Sequence, residues 1–161
     1  MAQNSGWKSG FKGQVTDLDT ATAGASGELG EYRQESGVLY QYVKNGSTTV
    51  NSAGVACVLK AAATDATVVH TANVDDFIFG VAKAEIPVSG FGFVVKQGIA
   101  NIKMGSGSCE AGNVLTVDAS GTFLRQSTIN TGSTTGFLGN VQVRAIDAIL
   151  SGATGSAYIS V

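Results

Sequence analysis

From Gly37 onward the chain is a succession of short apolar or alternating runs, each bounded by Gly, Ser, Asn or Asp. This is the pattern of β-strands joined by tight turns. Gly37–Lys44 is rich in aromatic and β-branched residues, and Asn45-Gly46 follows it before Ser47–Val50. Asn-Gly tolerates the positive φ angles of a type I′ turn, so the local pattern predicts a β-hairpin there. Further strands are expected at Val55–Leu59, Thr67–His70, Phe77–Ala82, Gly92–Gln97, Ala100–Met104, Val114–Asp118, Thr122–Arg125, Phe137–Ala145 and Ala157–Val161. Asp118–Gly121 reads as the loop of a second hairpin. Helix formers are few. Glu28–Glu35 has enough of them for one or two turns, weakened by Gly30, and Lys60–Ala63 and Arg144–Leu150 are weaker still. Turn signals spaced by about ten residues predict a mainly β fold, a small β-barrel or β-sandwich of short antiparallel strands.

The first 35 residues break this rhythm. Their large apolar side chains are scattered: Trp7, Phe11, Val15, Leu18, Leu29 and Tyr32. Such a segment buries too little apolar surface to offset its own ordering entropy and needs another surface to hold it. The chain therefore divides into an extended N-terminal arm, 1–35, and a β-barrel-like domain, 36–161. At about 3.3–3.6 Å per residue, the arm would reach on the order of 100 Å when extended. Trp7, Lys8, Phe11, Lys12, Tyr32 and Arg33 are its candidate anchors on a neighbouring subunit or a larger particle.

Composition narrows the function. The 161 residues carry 10 Lys and Arg against 12 Asp and Glu, and charged residues make up only 14% of the chain. There is no basic excess to offset phosphate charge, so nucleic acid is not expected as a partner. No apolar run approaches the ~18 residues of a membrane helix, and no membrane association is expected. With 22 glycines and few charges, the surface must be made largely of Ser, Thr, Gly, Ala and Asn. A neutral coat of small side chains resists association poorly, and little entropy is lost when it is immobilised, which suits it to being covered in an assembly.

Catalytic chemistry is thin. His70 is the single histidine and ends a strand-like run, with no Gly-x-Ser-x-Gly elbow to serve. Ser5–Lys8 matches a Ser-x-x-Lys spacing but lies in the arm. Asp17/Asp19 and Asp75/Asp76 lack the further acids of a calcium loop and read as turn residues. The glycines of Gly24–Gly30 have neither Rossmann nor P-loop spacing. Cys57 and Cys109 are too few for a disulfide scaffold, and reduced thiols are expected. No catalytic residue, metal or cofactor is assigned, and the chain is not read as an enzyme.

The runs Phe77–Ala82, Gly90–Ala100 and Ala111–Asp118 together resemble the capsid cement, or head decoration, proteins of tailed bacteriophages, and Gly37–Asn45 is similar to a segment of phage virion structural proteins. The resemblance covers about residues 37–126 and rests on strand patterns: a Gly-Val-Ala strand, a Gly-Phe-Val-x-x-x-Gly-x-Ala hairpin and an Ala-Gly-x-x-Leu strand. It implies a virion protein on the outer surface of an icosahedral capsid, binding the major capsid protein and stabilising the head against internal DNA pressure. It also implies a homo-oligomer, with a trimer expected first and a dimer second. The alternative is a carbohydrate-binding or adhesin-like β-module, which would use Tyr40, Tyr42 and Trp7 as exposed stacking platforms. The opposing expectation is that the two tyrosines alternate onto one sheet face and pack inside.

Overall fold

The structure, a computed structural model, describes residues 28–63, 65–70, 78–126 and 143–161. Among these there is no helix. Strand β1 (Tyr32–Glu35) and strand β2 (Val38–Asn45) form an antiparallel hairpin with Glu35 opposite Val38. Its two-residue turn is Ser36-Gly37, at φ +50° and +80°, the left-handed pair that a type I′ turn requires. The Glu28–Glu35 segment, whose composition suggests helix, thus ends in a strand, because pairing with β2 overrides a weak local propensity.

Asn45-Gly46 is not a hairpin turn. Asn45 is fully buried at the end of β2, where its Nδ2 donates to the carbonyls of Thr49 at 2.9 Å, Ile86 at 3.0 Å and Pro87 at 3.1 Å. Its Oδ1 accepts from the backbone N–H of Ser47 at 2.9 Å. The side chain clasps two loops, and Gly46 is needed because a Cβ there would lie 2.5 Å from Thr67 Cγ2. The signal was tertiary, although it had the form of a local turn.

Beyond β2 lie β3 (Ala56–Leu59), β4 (Thr67–His70), β5 (Gly80–Ala82), β6 (Phe91–Lys103), β7 (Leu115–Val117), β8 (Phe123–Arg125), β9 (Val143–Ala145) and β10 (Thr154–Ser160). Eight of them form one mixed sheet in the order β1-β2-β4-β3-β5-β6-β10-β9, and β7 and β8 form a separate two-stranded sheet. Strand β2 also pairs with β6, so the pairings β2–β4–β3–β5–β6 return to β2. The whole is nevertheless not a closed barrel, since β1 and β9 end the sheet as separate edges. The β2–β4 seam is parallel and only two residue pairs long, Lys44 with Thr67 and Asn45 with Val68.

The segments Gly92–Gln97 and Ala100–Met104, expected as two strands of a hairpin, belong mostly to one strand, β6. Its interruption is a bulge. Leu39 pairs with Gln97 and Tyr40 with Val95, which leaves Lys96 as the extra residue. The expected Asp118–Gly121 loop does join β7 to β8. Asp118 organises it by accepting hydrogen bonds from Ser120 N and Oγ and from Thr122 N and Oγ1. Partial burial pushes its carboxyl upward, but these donors outweigh that and hold it below the ordinary range.

Two apolar clusters occupy opposite faces of the β2–β6 ladder. One takes a residue from each strand of the circuit, Val43, Cys57, Val68, Ala82 and Val94, together with Ala66 and Ile86. The other joins Tyr40, Tyr42, Phe93 and Val95 to Ile102, Phe123, Val143 and Ile159. Both cysteines are free and buried. Burial pushes the Cys57 thiol up to about 12, so it behaves as a small hydrophobe.

Candidate interaction surface

The side chains that face outward are set by the register of β6 and its neighbours. From Gly92 to Val95, β6 is buried on both faces. After the bulge it alternates, with Gln97, Ile99, Asn101 and Lys103 exposed and Gly98 and Ile102 buried. Strand β10 places Tyr158 opposite Ile99, Ser156 opposite Asn101, Thr154 opposite Lys103 and Ser160 opposite Gln97. Strand β9 adds Arg144 opposite Tyr158. On the other flank, Gln97 pairs with Leu39 and Leu39 with Gln34.

The result is an outer face spanning β1, β2, β6, β10 and β9, with one row reading Gln34–Leu39–Gln97–Ser160 and the next Ile99–Tyr158–Arg144. Ile99 is 59% exposed and Tyr158 44%. The free margin of β9 is covered, because Ala145 exchanges backbone hydrogen bonds with Gly112 at 2.8 Å and Asn113 at 3.0 Å. This leaves the face, and not that edge, available for contact. Apart from the half-buried Leu39, the remaining residues of the face are amides and hydroxyls, with Arg144 and Lys103 its charges. No Asp or Glu stands in these rows.

Of the six anchors expected from the sequence, the described residues include Tyr32 and Arg33. Trp7, Lys8, Phe11 and Lys12 lie outside the described residues. Tyr32 is on β1, 45% exposed, on the same side of its strand as Gln34. Arg33 points to the other side, where its guanidinium pairs with Glu35 at 2.5 Å in a half-buried ion pair. The sugar-platform expectation fails for Tyr40 and Tyr42, which are only 8% and 2% exposed. Tyr42 stacks on Phe91 with ring centroids 6.1 Å apart, and both tyrosines pack against Phe93. Ser5–Lys8, Asp17/Asp19 and Asp75/Asp76 also fall outside the described residues. His70 ends β4 opposite Cys57, as its position in the sequence suggests.

Sequence reasoning missed Ile99 and Tyr158. Each sat inside an expected strand or its boundary, but their pairing across 59 residues of sequence follows only from the β6–β10 register. One signal was available. In the alternating run Gln97–Lys103, Ile99 occupies a position that otherwise takes polar residues.

The strands define a mainly β domain with a large mixed sheet and an appended hairpin. Among solved structures, the chain is similar to the N base of the head fiber gp8.5 of bacteriophage phi29, with a TM-score of 0.53 and 13% identity, over 75% of this chain and 94% of that one. At this identity the likeness is one of fold. No family model matches the sequence, and no curated protein does either.

Proposed function

We propose that this chain is a virion structural protein that attaches to the outer surface of a phage head and stabilises it as a cement or decoration protein. The observation that carries the reading is the shared fold with a phage head fiber base across most of both chains. The charge content of 14% supports it independently, since a Ser/Thr/Gly surface is suited to being covered. So does an exposed face with Ile99 and Tyr158 at its centre and polar side chains around them, an apolar centre with a polar rim. In this reading the major capsid protein is the partner. The segment that precedes the sheet, through Trp7 and Phe11, adds a second tether whose effective concentration raises the avidity of the body's contact, whereas Tyr32, expected as an anchor of the arm, belongs to β1 of the body. The assembly on the head is a homo-oligomer, a trimer in the first instance.

The test uses heads of the encoding phage prepared with and without the protein. Heads carrying it are expected to release DNA at a higher temperature, and removal of residues 1–27, which leaves β1 and its pairing with β2 in place, is expected to weaken re-binding to bare heads. Equal release temperatures would remove the cementing role, and unchanged affinity after truncation would remove the tether.

A further inference from the structure

We propose that the outer face of β6, β10 and β9, centred on Ile99 and Tyr158 with Arg144 and Lys103 at its margins, is the seat of this protein on the phage head, and that the shell protein meets it with an apolar patch bordered by carboxylates. The inference rests on the proposed function and adds which surface makes the contact and what chemistry the partner brings.

Three observations lead to it. The first is the misfit in the β6 alternation. A half-exposed strand places polar side chains outward, and Gln97, Asn101 and Lys103 obey this, yet Ile99 stands between them 59% exposed. Its cross-strand partner is Tyr158, so the two apolar groups lie side by side. Ile146, which donates its N–H to the Ser156 carbonyl at 2.9 Å, adds a third exposed apolar side chain two residues beyond Arg144. Clustered aromatic and aliphatic groups rimmed by amides and hydroxyls form the centre and border of a protein interface.

The second is charge. Strands β6, β10 and β9 present Arg144 and Lys103 outward and contain no Asp or Glu, although acids outnumber bases 12 to 10 in the chain. A second copy meeting this face with the same face would bring cation to cation and leave both without a counter-charge. A partner bearing Asp or Glu at the margin completes the pairing. The third is side-chain chemistry. A sugar stacks on a flat aromatic ring, whereas here the branched aliphatic Ile99 stands directly across from Tyr158 and puts a second apolar side chain at the centre of the patch. They suit apolar protein side chains.

Full-length protein is mixed with heads of the encoding phage that lack it, and binding is measured by co-sedimentation across a concentration series. Ile99→Asp combined with Tyr158→Asp is expected to weaken binding about 100-fold, as for the loss of two central anchors. Arg144→Glu is a second variant at an exposed strand position. It is expected to weaken binding about tenfold at low salt and less at high salt. Thermal melts check that each variant is folded. If the wild type does not bind heads at all, the proposed function fails and takes this inference with it. If the wild type binds and both variants bind equally well, the proposed function stands and the seat lies elsewhere. If the variants instead lose self-association in sedimentation, or retention on cell-envelope glycan, while still binding heads, the face serves a second copy or a glycan and the inference is overturned.

Discussion

The two halves of β6 are one strand of thirteen residues with two different environments. Gly92–Val95 runs between the two apolar clusters and is enclosed on both faces, with the half-buried Phe91 leading into it. Phe93 and Val95 belong to the larger cluster and Val94 to the smaller. Beyond the Lys96 bulge, Gln97–Lys103 has one buried face, lined by Ile102 and backed by Ala157 and Ile159, and one open face. The first half is the part of the strand that specifies the fold. The second half shares that task on one side and leaves the other for contact. The lesson is that an exposed apolar side chain has a different meaning in each half: in the first it would be a packing fault, and in the second Ile99 is a surface feature available to function.

The largest expected effect breaks this comparison if it is wrong. Phe93, 3% exposed and packed against Tyr40 and Tyr42, should cost about 3–5 kcal/mol of stability when replaced by Ala. Ile99→Ala should cost less than about 0.5 kcal/mol, since its side chain is mostly in water. Urea denaturation of both variants measures the difference. Comparable losses would mean that Ile99 is part of the core and that the two halves do not differ.

A smaller effect sharpens the same comparison by separating side chains from backbone. Gly98 lies in the half-exposed part at φ +113°, and a Cβ there would sit 3.0 Å from Val38 Cα and 3.1 Å from the Gly37 carbonyl oxygen. Backbone atoms cannot rotate aside, so Gly98→Ala should cost about 2 kcal/mol. Gly112, at φ +83° with open space around it, should cost about 1 kcal/mol as Ala, reflecting the dihedral alone. If the two substitutions cost the same, the close approach of β6 to the Ser36-Gly37 turn contributes nothing. The expected gap says that the second half is free in its side chains and pinned in its main chain.

The same contrast explains what the sequence disclosed. Phe91-Gly92-Phe93-Val94-Val95 is a continuous apolar run and Gln97–Lys103 an alternating one, so the change from two-sided to one-sided burial is written in the residues. The mainly β fold and the Asp118 loop were legible for the same local reason. Pairings between distant segments were not. Nothing near Thr67 announces that it lies parallel to Lys44, and the hairpin at Ser36-Gly37 was obscured because Ser is not the usual residue at positive φ. Asn45-Gly46 carried the stronger local signal but had been recruited to hold Thr49, Ile86 and Pro87. The candidate face belongs with the distant pairings, because Ile99, Tyr158 and Arg144 become neighbours only when β10 is inserted between β6 and β9.

Lys96 stands at the boundary between the halves, and its titration gives the smallest effect. Its ammonium lies 3.8 Å from the centroid of the Phe79 ring and donates to the Phe79 carbonyl, while its own carbonyl accepts from Val161 N–H at 3.0 Å. Burial against these groups pushes its pKa down from the ordinary 10.5 to about 8. Below pH 8 the group is charged in both folded and unfolded chains, and the folded state bears the desolvation. Between about 8 and 10.5 the unfolded chain still binds a proton that the folded chain has released, so stability should rise with pH across this window. The rise should stay below about 1 kcal/mol because the half-exposed ammonium is screened by water. Cys57 acts in the opposite sense. Its thiol ionises near 9 when unfolded and near 12 when folded, so stability falls above pH 9 from that source. Urea melts of the wild type and Lys96→Met at pH 7.5 and 9 separate the two, since both proteins share the ionisation of Cys57. The wild type should gain stability relative to the variant as pH rises. A constant difference would place the Lys96 ammonium in water, and the bulge would then be an ordinary irregularity in a strand whose two halves change character for reasons of side-chain pattern alone.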